Sequence, residues 1–220
     1  MKARGSNRRN RAMTLTEVLV VVVVLAVLAA VFFPTLLTIR NGRMPVSCID
    51  NLKQIGLSFR VWAGDHNDKF PMQVSITDTN GGGTMELANG RNGWLNFFVM
   101  SNELCTPRLL ICPADIDKVA ATNFSTDLVG KISYFVGLNA DQDHPPTFLS
   151  GDDNFAIGGV PVKSDLLELS TNAPISWTAA RHKYVGNIVL TDGSAWQTDD
   201  KQLVQKLIET GLATNRLAIP

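Results

Sequence analysis

Residues 13–39 read MTLTEVLVVVVVLAVLAAVFFPTLLTI, and from Val18 to Phe33 no position carries a polar side chain. As a helix this stretch would reach roughly 40 Å at ~1.5 Å per residue, enough to cross ~30 Å of hydrocarbon. Valine is a mediocre helix former in water. In lipid, however, the backbone must satisfy its own hydrogen bonds, which leaves helix as the single-span solution. The reading is therefore a transmembrane helix over 13–39.

The charge around this stretch gives it a direction. The chain has 220 residues, 20 basic and 20 acidic side chains and a formal net charge of zero. Residues 1–12 hold Lys2, Arg4, Arg8, Arg9 and Arg11 and no acid, so the remaining 15 basic groups face 20 acids, a net of −5. A basic tip stays on the cytoplasmic side and sends the acidic body outward. A cleaved secretory signal is the rival reading. The apolar run is longer than a usual signal core, and Phe32-Phe33-Pro34 stands where a small-x-small cleavage site is wanted. Hydrophobic residues at 45% and charged residues at 18% exclude a disordered chain. The length excludes a large multidomain enzyme, and the balanced charge argues against nucleic acid as a partner.

Glu17 stands at the edge of the apolar segment. A carboxylate at the centre of a membrane helix costs ~2.5–3.5 kcal/mol on insertion scales, and less near the interface. One reading puts Glu17 at headgroup level, favoured by the helix dipole. The other gives it a cationic partner inside the membrane.

The stretch Ala12-Met13-Thr14-Leu15-Thr16-Glu17, between a basic leader and an apolar helix, resembles the N-terminal signal of type IV pilins and type II secretion pseudopilins. The resemblance implies cleavage by a prepilin peptidase between Ala12 and Met13, methylation of the new amine, and pairing of Glu17 with the N-terminal amine of a sister subunit. The family prefers glycine before the cut where this chain has Ala12. Pro34 matches a helix-kinking proline of many pilins. Further along, Cys48-Ile49-Asp50-Asn51-Leu52-Lys53-Gln54-Ile55-Gly56-Leu57 and Cys112-Pro113-Ala114-Asp115 are similar to segments of large pilin-like families. His182, nine residues, then Asp192-Gly193 resembles the H-X9-DG head motif of one of them. The implied fold is α+β: a long N-terminal membrane-spanning helix continuing toward a globular head built on an antiparallel sheet.

The body of the chain is read as a linker and amphipathic helix over 40–66 and a head over 67–220, behind the leader at 1–12. Arg40-Asn41-Gly42-Arg43-Met44-Pro45 predicts a helix break. Cys48, Leu52, Ile55, Phe59 and Trp62 form one apolar helical stripe, suited to packing on a sheet. Asn80-Gly81-Gly82-Gly83 lacks the Lys-Ser/Thr of a phosphate loop and reads as a flexible loop. Val129–Leu138 predicts a strand. Asn187–Thr191, Asp192-Gly193 and Ser194–Trp196 predict a hairpin. Asp199-Asp200 predicts the cap of a last helix through Leu203, Val204, Leu207 and Ile208, stopped by Gly211. For the four tryptophans, Trp62, Trp94, Trp177 and Trp196, core and binding platform both stay open, core being the commoner place for aromatics.

Candidate chemistry is sparse. His182 and Asp192 offer an acid–base pair, but no nucleophile or second carboxylate completes a site, and a structural hydrogen bond from His182 at a strand start is the favoured reading. Asp141, Asp143, Asp152 and Asp153 are the calcium candidates, with a precedent in the calcium-holding C-terminal loops of secretion pseudopilins. Their spacing matches no EF-hand, so no cofactor is assigned. Cys105 and Cys112, separated by six residues, are expected to form a disulfide in an oxidising exterior, leaving Cys48 free. The expected role is assembly rather than turnover, with no catalytic residues: a subunit of a type IV pilus-like filament or type II secretion pseudopilus. The partners are prepilin peptidase, sister subunits and the bacterial inner membrane, with the head in the periplasm or on the cell surface. The rivals are a monomeric membrane-anchored ligand-binding protein and an anchored hydrolase using His182 and Asp192.

Overall fold

The computed structural model describes residues 15–79, 81–87 and 90–220, with side chains described outside 31–46. The leader, Ala12 and Met13 lie outside the described residues, as does the side chain of Pro34. The chain divides into two compact units, Met1–Arg43 and Met44–Pro220.

Helix α1 runs Leu15–Gly64. In the first unit its residues 15–30 are exposed, Leu15 and the valines and leucines from Val18 to Leu28 among them. Among the described residues no helix is long and apolar enough to cross a membrane. The described side chains of the apolar run cover roughly 24 Å at ~1.5 Å per residue, short of the full stretch 13–39. The break expected at residues 40–45 is absent, since α1 is helical through Gly42 and Pro45. A proline removes one backbone donor, and the hydrogen bonds on either side can carry the helix past it.

The second unit is built around the last five turns of α1. The stripe Cys48, Leu52, Ile55, Phe59 and Trp62 is buried along its whole length. Full burial of such side chains stabilises by ~1.5–3 kcal/mol each. Gly56 sits on the same face, where a Cβ would lie 2.8 Å from a Val189 methyl, so its lack of a side chain lets the sheet approach the helix. α1 stops at Gly64, and Asn67 and Asp68 turn the chain with φ of 57° and 59°.

Among the described residues two short helices follow, α2 (Trp94–Val99) and α3 (Ser101–Leu104), and then nine strands with a last helix α4. The strands are β1 (Tyr134–Gly137), β2 (Phe148–Asp152), β3 (Phe155–Ile157), β4 (Val160–Pro161), β5 (Leu166–Ser170), β6 (Ile175–Trp177), β7 (Gly186–Leu190), β8 (Ala195–Thr198) and β9 (Thr214–Ala218), with α4 (Asp200–Glu209) between β8 and β9. The main sheet has order β5-β9-β1-β2-β7-β8, the smaller one β4-β3-β6, and every pairing is antiparallel. The fold class is α+β, as expected.

Side-chain alternation divides the head into two apolar cores. Tyr134, Val136, Leu149 and Val189 join the α1 stripe, Phe70 and Phe97. Phe135, Phe148, Ile188, Leu190 and Leu217 point the other way, into a cluster with Phe155 and Trp177 of the small sheet and Leu203 and Leu207 of α4. The period of two along each strand thus places the main sheet between two layers.

The β7–β8 hairpin forms as read, with Gly193 at φ 85° in its turn. Helix α4 also forms as read: Asp199 accepts from the Gln202 N–H at 2.8 Å, Gln202 reaches back to the Asp199 N–H, and Gly211 follows with φ 68°. The strand expected over 129–138 shrinks to β1. Gly130 turns the chain at φ 70°, and Ser133 bonds the Leu110 carbonyl rather than a strand. Phe59→Ala should lower the unfolding free energy by about 3–5 kcal/mol in a urea titration, whereas Val61→Ala, on an exposed position of the same helix, should change it little.

Candidate functional site

Three stretches singled out in the sequence meet at one place. Cys48 opens the buried stripe of α1. Asn51, one turn on, donates its amide to the Ile111 carbonyl at 3.0 Å and so holds the neighbouring loop against the helix. The next residue of that loop is Cys112, and it is disulfide-bonded to Cys48 with the Cα atoms 5.0 Å apart. This corrects the expected Cys105–Cys112 pair. Cys105 has φ 60° at the end of α3, is exposed and free, and its thiol donates to the Asn102 carbonyl at 3.3 Å. Nearness in sequence loses to the helix face, which delivers Cys48 from 64 residues away. Closing a loop of that size stabilises by about 4 kcal/mol in the chain-entropy account.

His182 packs on this disulfide. Its Nε2 lies 3.2 Å from Cys112 Sγ and 3.5 Å from Asp152 Oδ2. Asp152 occupies the middle of a cross-strand row, opposite Tyr134 on β1, and its Oδ2 accepts the Asn187 backbone and side-chain N–H groups, each at 2.8 Å. All these groups are buried. Burial pushes the Asp152 carboxyl up to about 7, although the Asn187 donors and the Arg181 charge pull the other way. Burial, followed by the positive charge of Arg181, lowers His182. Each shift favours the neutral form of its group, so the 3.5 Å His182–Asp152 contact is not a strong ion pair. The Tyr134 hydroxyl is driven well above its ordinary range, by burial first and then by Asp152.

Beside this core lies a network of full charges. Arg181 Nη2 bridges Asp115, at 2.7 Å, and Asp153, and its Nη1 donates to the Ser133 carbonyl at 2.9 Å. Lys118 completes the network on Asp153 at 2.8 Å. Consecutive residues Arg181 and His182 therefore serve two different sites. The charged one faces a cleft of about 390 Å³ lined by Asp115, Lys118, Asp153, Asn154 and Arg181. Both side-chain polar atoms of Asn154 are buried there and without a hydrogen-bond partner among the described residues.

Two further groupings weighed from the sequence are not brought together. His182 precedes β7 and Asp192 follows it, so the strand, roughly 16 Å long at ~3.3 Å per residue, lies between them. Asp192 instead accepts the Ser194 N–H at 2.7 Å, and its carbonyl accepts from Arg60 at 3.1 Å. These bonds hold the turn. The four calcium candidates are likewise split. Asp141 accepts the Asp143 N–H at 3.1 Å and pairs with His144 at 3.3 Å, in the connection before β2. Asp152 and Asp153 lie at the far end of β2, committed to Asn187, Arg181 and Lys118. Among the described residues the single group of three ligand-type side chains is Cys48, Cys112 and His182, and joined sulfurs are not thiolate ligands.

Of the residues not anticipated, Arg181 and Asn187 left no local signal. Asn51 and Asp115 lay within the quoted stretches and owe their roles to tertiary placement. At the other end of the chain, Glu17 stands in the first turn of α1. Residues 7–33 match the family model of the prokaryotic N-terminal methylation motif. That motif contains Ala12, Met13 and Glu17 and ends one residue before Pro34. Comparison with curated proteins and with solved structures gives no match.

Because the native Asp152 carboxyl titrates near 7 and an unfolded one near 3.8, the folded chain holds the extra proton between those values. Its contribution to stability is full at acid pH and is lost as pH rises toward 7. Asp152→Asn keeps an acceptor for Asn187 without the charge. Relative to wild type, the variant should gain stability steadily from pH 4 to pH 7.5 in urea titrations; a constant difference would contradict the assignment. Peptide mapping without reduction should recover Cys48 linked to Cys112, with Cys105 alkylated.

Proposed function

We propose that the protein is a structural subunit of a type IV pilus-like filament or type II secretion pseudopilus. In this reading a prepilin peptidase cuts between Ala12 and Met13 on the cytoplasmic side and methylates the Met13 amine. Residues 13–39 anchor the chain in the bacterial inner membrane, and the unit Met44–Pro220 lies outside it. The observation that carries the reading is the methylation motif over residues 7–33. It is supported by the exposed apolar row from Val18 to Ala30 of α1, a surface suited to lateral packing against sister helices in lipid.

Glu17 supplies the specificity. An acid beside an apolar helix is penalised in a low dielectric unless a cation meets it, and the methylated amine of a neighbouring subunit fits that need. Assembly then selects the stagger that brings amine to carboxylate. The role is assembly rather than catalysis. Glu17→Ala should leave membrane insertion and cleavage intact while reducing polymerised protein at least tenfold in sheared-filament or crosslinking assays. Filaments at wild-type yield would refute the role of Glu17. Mass spectrometry of the mature chain should find N-methylated Met13, and a chain retaining its arginine-rich leader would refute processing.

One observation favours a second reading, that of an anchored monomer binding a ligand. The cleft beside Arg181 contains the unpartnered amide of Asn154. Crosslinking in intact cells separates the two, since an anchored receptor gives monomers and a filament subunit gives ladders.

A further inference from the structure

The buried cluster around the disulfide has the composition and spacing of a metal site whose two sulfurs happen to be joined. We propose that, in the dithiol state, Cys48, Cys112, His182 and Asp152 bind one Zn²⁺ ion, so that the same four residues staple the head in either redox state. The inference rests on the head alone and not on the filament reading.

Three of the four ligands are already gathered, and the fourth, Asp152, adjoins one of them. Cys48 Sγ, Cys112 Sγ and a His182 ring nitrogen lie within 4.8 Å of one another. His182 Nε2 stands 3.2 Å from Cys112 Sγ and 3.5 Å from Asp152 Oδ2. Zinc bonds of ~2.3 Å to sulfur and ~2.0–2.2 Å to nitrogen and oxygen imply ligand–ligand edges of roughly 3.3–3.8 Å. The sulfurs separate by side-chain rotation once the bond between them is gone, and Asp152 closes the site from the His182 side.

The surroundings suit a closed structural site. Cys48, Cys112 and Asp152 are 0% exposed and His182 6%, which leaves no open position for a catalytic water. The carboxylate is oriented in advance by the Asn187 donors on Oδ2, an outer-shell arrangement of the kind that sets ligand geometry. Its other oxygen, Oδ1, is buried and, among the described residues, without a hydrogen-bond partner, a second acceptor beside Oδ2 for the cation. Two thiolates and a carboxylate around Zn²⁺ leave one negative charge, with Arg181 near enough to act on Asp152.

The chemistry balances with a thiol as reductant. Two equivalents of a small thiol reduce the Cys48–Cys112 disulfide to two cysteine thiols and are themselves oxidised to one disulfide. Binding of Zn²⁺ then displaces to solvent the two thiol protons and the proton of the Asp152 carboxyl where it is protonated. Exchange with a small-molecule disulfide reverses this: that disulfide takes up the two electrons and becomes two thiols, the Cys48–Cys112 bond re-forms and the ion is released, because a disulfide is a poor zinc ligand.

The test uses the full chain in detergent micelles, in a Cys105→Ser background so that the exposed thiol binds nothing. After anaerobic phosphine reduction and Zn²⁺ loading, gel filtration with elemental analysis should find one zinc per chain, and the oxidised chain should keep none. Bound zinc should slow iodoacetamide labelling of Cys48 and Cys112 at least tenfold. Co²⁺ in its place should show thiolate-to-metal charge-transfer absorption. His182→Ala should weaken zinc affinity tenfold or more, and Asp152→Asn gives the same reading should the first variant fail to fold. Zinc absent from the reduced chain, or retained equally by the oxidised chain, overturns the proposal. So does unchanged affinity in a folded His182 or Asp152 variant.

Discussion

The head depends on one packing constraint: a single face of α1 must be buried against one face of the main sheet. Cys48, Leu52, Ile55, Phe59 and Trp62 repeat every three or four residues, and every one of them is inside. Gly56 belongs to that constraint because a methyl there would meet Val189. With the helix seated, the alternation along β1, β2 and β7 sends Tyr134, Val136, Leu149 and Val189 toward it and the intervening residues toward α4 and the small sheet. Two cores follow from one strand period. The loop carrying Cys112 is then drawn to the helix by Asn51 and fixed there by the disulfide.

The same close packing makes the polar groups near the disulfide costly to leave unpaired. In a low dielectric a lone charge is expensive, and this region meets the problem in two ways. The first keeps full charges and matches them: Arg181 lies between Asp115 and Asp153, and Lys118 shares Asp153. The second moves its groups toward neutrality: Asp152 rises to about 7 and His182 falls. The difference follows from access to solvent. The first network borders a cleft, whereas Asp152 has none and keeps its position through the Asn187 donors.

What could be read from the sequence was what is local. The α1 stripe, the Asp-Gly hairpin, and the Asp199 cap with its Gly211 stop each depend on residues within a few positions, and each forms. The break at residues 40–45 failed because a helix long on either side tolerates the loss of single backbone bonds. The disulfide failed for the opposite reason: separation along the chain favoured Cys105, yet the partner came from a helix face 64 residues away. His182 drew notice as half of a pair with Asp192, but a strand separates them and its contacts are Cys112 and Asp152. Which strand lies beside which is a tertiary fact, and no local pattern encodes the row Tyr134–Asp152–Asn187.

The position of the disulfide acquires a mechanical sense if the chain assembles through its N-terminal helix. Load carried by that helix enters the unit Met44–Pro220 at its first residues. A helix held by apolar contacts alone can be peeled, since each stripe residue contributes only ~1.5–3 kcal/mol and the contacts break one after another. A covalent bond at Cys48, the first buried position of the stripe, blocks peeling where it would begin. Cys112 at the other end is anchored in turn: Asp115, three residues on, is bridged through Arg181 to Asp153, directly after β2. Force applied at Cys48 is therefore passed through Cys112 to its loop and, by the Arg181 bridges, toward the end of β2.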